Sequence, residues 1–540
     1  MLRVLFLVSV VGLINGSLEG SAWAQVAPAV QSSAQPSANP AASDPAASVA
    51  EIERTIEVVR GEWQVPGLAV GIVQDGKVLM SRGFGLRRQG EAATVDGDTL
   101  FAIASNSKAF TAAALAILVE EGKLGWDDHV YQHLPWFRLR DEAATRDMRI
   151  RDLLCHRSGL GTFSGDLLWW GTSYSPREVL ERAALLEPAS SFRAEYGYSN
   201  LMFLAAGLVV ESASGKPWCE FIEQRILKPV EMNRTVCSVR DLIEQDNFAT
   251  PHKTLLSGSV PIPWVNWDAM AAAGGIISSS NDMTKWLQFQ LNGGQIAEEE
   301  RLFSENLGWE MWQNHMPMRI SKAASQRSPH THFRGYGLGW ALNDLHGYKL
   351  VGHGGGYDGM YSKVLMVPEQ KLGVVVLTNS MTGVGDYLCT LMISRLLGLP
   401  ETSTSQESRD RFMKSREEFE SRLEKSVQPV VRGTKPSHPL EDYCGQFECP
   451  MYGGASVTAE GEGLVLRLLP NPDLVADLEH LHYDTYAIKW RKEFAWFGPG
   501  TAHFVADAKG ALVAIELDVP NDDLWFYELR LRRKEGATGQ

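Results

Sequence analysis

Apolar and polar residues change their spacing several times along this chain, and each change marks a new element. In GLAVGIVQDGKVLMSRGFG two apolar runs flank Asp75-Gly76, and a two-residue Asp-Gly link between such runs predicts a hairpin. FAIASNSKAFTAAALAILVEEGKL, from Phe101 to Leu124, switches to helical spacing after its serine cluster. Helical patterns then dominate to Asn292 in IRDLLCHRSGL, SPREVLERAALL, NLMFLAAGLVVESASG and SSNDMTKWLQFQLNGG, the last with serine and asparagine caps and a Gly-Gly stop. Strand signals return in GYGLGWAL, YKLVGHGGG, YSKVLMVPE and KLGVVVLTN, and an apolar helix follows to Leu399. Strands at both ends with helices between them predict an α/β (α+β) fold class: an antiparallel sheet flanked by helices and closed by distant chain segments, beside a helical lobe.

Outside that region the pattern is different. Residues 25–50 are almost wholly Ala, Ser, Pro, Gln and Asn, which cannot bury a core and predict a disordered tether. SQESRDRFMKSREEFESRLEKS, from Ser405, is so charged that it reads as a solvated linking helix. SVTAEGEGLVLRLL, YAIKWR, TAHFVADAKGALVAIELDV and LWFYELRLRR are short strand patterns with turns between them, as expected of a small all-β barrel or sandwich. A length of 540 residues also favours two folded units. The expected organisation is a signal peptide at 1–24, the tether at 25–50, a main domain at 51–400, a linker at 401–437 and a β-barrel-like domain at 438–540.

Charge and end signals narrow the class. The formal net charge of −14 repels phosphate backbones, which argues against nucleic-acid binding. Arg3, the apolar run Val4 to Ile14 and Ala22-Trp23-Ala24 have the layout of a secretory signal, too short to span a bilayer. The mature chain is therefore expected to be exported, to the periplasm or beyond, without stable membrane insertion. Six cysteines are too sparse for a disulfide scaffold. Cys444 and Cys449 are paired in sequence, but straight strand would hold them about 16 Å apart, so a bridge there needs a turn. His129 and His133 lack the glutamate of H-E-x-x-H, and a surface or interface role outweighs zinc for them. His480 and His482 would share one strand face and read as packing residues. No metal or cofactor is expected.

The serine cluster carries the candidate chemistry. Residues three apart on a helix share a face, so Ser105 and Lys108 can meet while Ser107 points elsewhere. A lysine can take a serine proton only when neutral, and at a pKa near ~10.4 only about one in 2,500 is neutral at pH 7. The apolar flanks could bury Lys108 and lower that value. S-x-x-K by itself fits a helix start with a surface lysine equally well. Tyr198-Ser199-Asn200 stands just before an apolar helix; a phenol shares a proton well with an amine, and an asparagine amide can hold a substrate amide. A helix cap beside a core tyrosine is the competing account. His353-Gly354-Gly355-Gly356 ends an apolar strand, where glycines let a substrate lie against the backbone and expose an N–H. Trp169, Trp170, Trp264 and Trp267 line either a substrate cleft or the core.

In this order the three motifs resemble the serine β-lactamase and penicillin-binding-protein superfamily, in its class C, peptidase S12 branch. The likeness covers most of 51–400 and extends to ILKPVEMNRT, AAGGIISSSNDM and YGLGW. It implies Ser105 as acylated nucleophile, Lys108 and Tyr198 as base system, Asn200 as substrate ligand, and an oxyanion hole from the N–H groups of Ser105 and Gly356. The third motif departs from the K-[ST]-G common in that superfamily. His353-Gly354-Gly355 lacks the lysine and hydroxyl that hold a β-lactam carboxylate, so His353, Gly355 and Gly356 are read as a substrate-binding edge for peptidase or esterase work. A largely neutral imidazole there would hold carboxylates better in acid. The expected activity is that of a serine hydrolase on amide or ester bonds, resembling D-amino-acid peptidases or family VIII esterases. The substrate is a small molecule or peptide, peptidoglycan fragments included. Class C β-lactamase action and a non-catalytic peptide-binding descendant are the alternatives. Oligomeric state is left open. The C-terminal unit is similar to the lipocalin-like domain attached to some of these peptidases.

Overall fold

The computed structural model describes residues 45–534; the expected signal and all but the last six residues of the expected tether lie outside them. Helix α1 (Pro45–Glu62) starts six residues before the expected start of folding at Glu51. Its Ile52, Ile56 and Val59 are buried against the back of the main sheet, and that burial holds the segment helical.

Strands β1 (Gly67–Gln74) and β2 (Lys77–Gly85) form the hairpin. Asp75 and Gly76 both have positive φ, 50° and 73°, as a primed two-residue turn requires. The sheet is completed by β3 (Met316–Met318), β4 (Arg334–Tyr336), β5 (Ala341–Leu345), β6 (Tyr348–Tyr357), β7 (Met360–Val367) and β8 (Leu372–Thr378), in the order β2-β1-β8-β7-β6-β5-β4-β3. β1 pairs antiparallel with β8, Leu68 opposite Thr378, so segments some 300 residues apart close the sheet, as the pattern implied. Side chains alternate across it: Leu68, Val70 and Ile72 face the layer of α1 and the C-terminal apolar helix α5 (Val384–Leu396), while Ala69 and Val73 face the helical lobe. Cover on both faces explains why β1 and β8 read as unbroken apolar runs.

Between β2 and β3 lie α2 (Ser107–Glu120), α3 (Asn200–Ser214) and α4 (Ser280–Leu291). The alanines of α2 and Gly207 of α3 permit close approach; a Cβ on Gly207 would sit 2.4 Å from that of Ala272. Helix α6 (Ser405–Ser426) is the charged linker: Thr404 and Glu407 cap it reciprocally, and it buries no residue.

Eight strands from Gly445–Cys449 to Leu531–Arg533 close an antiparallel barrel, the last pairing with the first. LWFYELRLRR, expected as one strand, is a 3-10 turn at Phe526–Glu528 followed by the short final strand. The turn faces the main domain, where Glu528 accepts from Ser164 Oγ at 2.6 Å and from the Gly165 N–H at 2.9 Å. A bulge between His480 and His482 breaks the face those two were expected to share. All six cysteines are free, Cys444 and Cys449 bracketing one strand. Tyr174 Oη donates to the Tyr452 carbonyl at 2.6 Å and Asn471 Nδ2 to that of Trp170 at 3.1 Å, so barrel and main domain are joined by hydrogen bonds as well as by a continuous apolar core.

Candidate active site

Ser105 occupies a 3-10 turn, Ala104–Asn106, that leads into α2. Ala104 is held at φ 46°, a conformation that costs a non-glycine residue energy and that local packing must enforce. The two serines of the cluster part company here. Ser107 is fully buried and its Oγ accepts from the Ile276 N–H at 3.1 Å, whereas Ser105 is partly exposed with its Oγ 2.9 Å from Lys108 Nζ.

Lys108 is 0% exposed. Its Nζ also donates to Asn200 Oδ1 at 2.7 Å and to the Ala273 carbonyl at 2.9 Å. Burial pushes its pKa down from 10.5 to about 7, while the Asp166 carboxyl nearby works in the opposite direction. A neutral amine has two N–H donors and one lone pair; the carbonyl oxygens of Asn200 and Ala273 match the donors, and the lone pair is left for the Ser105 hydroxyl.

Tyr198, just before α3, lies with its ring 4.8 Å from Lys108 Nζ. Burial raises its phenol well above its ordinary pKa, while the Ser105 hydroxyl favours the charged form. Asn200 is turned inward. Besides accepting from Lys108, its Nδ2 donates to Asp166 Oδ2 at 2.7 Å, so it holds the lysine and has only its second N–H left for a substrate. Any contact of Asn200 with a substrate falls to that one N–H.

Two residues at the site were not singled out from the sequence. Asp166 is 3% exposed, accepts from Trp169 Nε1 at 3.0 Å as well as from Asn200, and burial raises it to about 8. Its signal was a lone acid in the run GDLLWW. His156, with φ 59°, accepts the Ser199 N–H on Nδ1 at 3.0 Å and lays its ring 4.1 Å from that of Tyr198. Burial keeps it neutral.

Strand β6 forms the opposite wall. A Cβ on Gly355 would lie 2.2 Å from the Ile103 carbonyl and 3.0 Å from the Ser105 nitrogen, so only glycine lets the strand run against the serine turn. His353 departs from its expected role. It is 5% exposed, with Tyr336 Oη 2.6 Å from Nε2 and the Gly354 carbonyl 2.5 Å from Nδ1. Both ring nitrogens are taken, and burial with the Lys108 charge pushes its pKa to about 3. It shapes the wall and does not offer a titrating group to a substrate. The tryptophans serve both expectations: Trp169, Trp170 and Trp264 line a cavity of about 820 Å³ with Asn471 and Phe494 of the barrel, while Trp169, Trp170 and Trp267 are buried in the core.

A buried lysine on a serine, a tyrosine beside both and a glycine strand opposite fit a serine hydrolase, and the chain is a member of the β-lactamase family, whose model matches residues 52–390. A domain of unknown function, DUF3471, matches 430–533. Among relatives, unguisins hydrolase ungD' of Aspergillus campestris is 27% identical over 414 residues, covering 72% of this chain and 74% of that one. Protein flp of Staphylococcus aureus is 28% identical over 344 residues, covering 62% of this chain and 63% of its own length. Two solved structures share the fold: the octameric penicillin-binding protein homologue from Pyrococcus abyssi (TM-score 0.57, 24% identity, 90% of this chain and 100% of that one) and SurE (0.53, 18%, 91% and 100%).

Proposed function

We propose that this chain is an exported serine hydrolase that forms an acyl-enzyme at Ser105 with peptide-like amides or esters, D-amino-acid amides and short peptides foremost. The observation that carries the reading is the fully buried Lys108 amine 2.9 Å from Ser105 Oγ, at a pKa of about 7. Neutral Lys108, with the Tyr198 phenol beside it, takes the Ser105 proton as Oγ attacks the carbonyl carbon. The N–H groups of Ser105 and Gly356 hold the oxyanion. The relay returns the proton to the leaving amine or alcohol, the C–N or C–O bond breaks, and water then hydrolyses the acyl-serine to free acid and enzyme.

Preference for neutral amides and esters over β-lactams is supported by the charges around the third motif. The cations whose fields reach His353 are Lys108 and Lys363; the first serves the chemistry and the second is paired with Asp386 at 2.8 Å. Neither is free to hold a substrate carboxylate. Export is supported by Arg3, Val4–Ile14 and Ala22-Trp23-Ala24, and N-terminal sequencing of secreted protein should begin at Gln25.

The test is a panel of D- and L-amino-acid amides, short-chain p-nitrophenyl esters, peptidoglycan fragments and a chromogenic cephalosporin, run beside fluorophosphonate labelling. Turnover of an amide or ester with label on Ser105 is expected. Cephalosporin hydrolysis far faster than any ester or amide overturns the substrate assignment, and absence of label at Ser105 overturns the mechanism.

A further inference from the structure

Asp358 lies in the turn between β6 and β7, two residues beyond Gly356, and is 1% exposed. Among the described residues no cation pairs with it. Instead its Oδ2 accepts from the Trp267 indole at 2.9 Å and from the Trp170 indole at 3.4 Å, and the Trp496 indole stabilises the same carboxylate. Burial nevertheless raises it to about 6, which leaves it mostly ionised at neutral pH. A buried charge held only by neutral donors is an expensive way to join chain segments, so what the three indoles position is informative.

Two of the indoles reach different parts of the site, while Trp170 packs edge to face on Phe494 and Phe497 of the barrel. Trp496 belongs to the barrel, outside the 52–390 match, and the edge of its ring lies where a Cβ on Gly356 would meet it at 3.1 Å. Trp267 packs on Gly274, where a Cβ would be 2.9 Å from its ring. The residue before Gly274 is Ala273, whose carbonyl accepts from Lys108. Trp267 also meets Trp169 edge to face at 4.9 Å, and Trp169 donates to Asp166. The oxyanion strand and the groups that orient the lysine therefore converge on one carboxylate.

We propose that Asp358 is a positioning residue of the active site: by gathering three indoles it sets the Gly356 N–H and the Ala273 carbonyl relative to Ser105, and through Trp496 it makes the C-terminal barrel a working part of the catalytic unit. The inference rests on the proposed roles of Ser105, Lys108 and Gly356.

The test uses the full chain with Trp496→Phe, which keeps a ring and removes the N–H, and Asp358→Asn, which keeps the shape and removes the charge. kcat and KM on the best panel substrate are measured together with the affinity of a boronic acid, which forms a tetrahedral adduct on the serine. Trp496→Phe should lower kcat about tenfold with KM nearly unchanged, on the order of what one donor near a charged group contributes. Boronate affinity should fall by a similar factor while the thermal midpoint holds. Asp358→Asn should lose more, and the double variant should be no worse than Asp358→Asn alone, because the two act as a unit. Unchanged kcat and boronate affinity in Trp496→Phe, or losses that add in the double variant, overturn the proposal. If Asp358→Asn folds poorly, Trp496→Phe decides alone. Wild-type protein labelled at Ser105 beside an unaffected Trp496→Phe sinks this inference only, whereas wild type unlabelled at Ser105 sinks the proposed function and this inference with it.

Discussion

Replacing Asn200 by aspartate would put a charge where the fold keeps a neutral acceptor. Asn200 Oδ1 is 2.7 Å from Lys108 Nζ, and a unit negative charge at that distance attracts an ammonium by ~6 kcal/mol at an effective dielectric near 20. Only part of this acts on the lysine. The other end of the amide is 2.7 Å from Asp166 Oδ2, so the new carboxylate would share a proton with Asp166, which burial already raises to about 8, and the two would carry one negative charge between them. Half the attraction, ~3 kcal/mol, raises the lysine by roughly two pH units. From its present value of about 7 it would move near ~9, and the neutral fraction at pH 7 would fall from about one half to about one in a hundred. Acylation at pH 7 should drop by that factor and recover about tenfold for each pH unit until the plateau. Single-turnover release of p-nitrophenol between pH 6 and pH 10, with intact-mass counting of acylated serine, reads this directly. Asn200→Ala, which removes the acceptor without adding charge, should lower the plateau and leave the limb near or below its wild-type position. A wild-type acylation rate at pH 7 in Asn200→Asp, or a lowered plateau with an unmoved limb, would show that Lys108 is not the base.

Three further outcomes separate the groups around Ser105. Ser105→Ala should abolish labelling and most turnover with little change in stability, while Ser107→Ala, which strands the Ile276 N–H, should cost ~1–3 kcal/mol in denaturant unfolding yet still be labelled. Gly355→Ala should destabilise by at least ~2 kcal/mol and slow acylation severely, because its Cβ would overlap the Ile103 carbonyl; wild-type melting and rate in that variant would refute the packing account. His353 gains its proton only as pH falls through about 3, so KM for carboxylate substrates should not improve between pH 7 and pH 5. For the same reason, and because a side chain at 354 would meet Tyr361 Oη at 2.5 Å on the other face, His353→Lys with Gly354→Thr should not install a carboxylate clamp; a large rise in cephalosporin hydrolysis would contradict this.

Features governed by neighbours along the chain were legible from its residues alone. The Asp75-Gly76 turn, the apolar alternation of β1, the reach from Ser105 to Lys108 across three positions and the charged linker helix all depend on backbone geometry within a few residues. The superfamily resemblance assembled the three motifs and implied a role for each, but not the contacts that realise or alter those roles. Those contacts join distant segments. Asn200 turns inward because Lys108 and Asp166 meet it from 92 and 34 residues away. His353 is silenced by Tyr336 and by burial, and Asp358 is found only where the barrel's Trp496 comes to lie over Gly356. A one-letter code does not distinguish an aspartate in water from one walled in by indoles. The pKa of a buried group, and hence its chemistry, is set by desolvation and by partners that only the folded chain brings within a few ångströms.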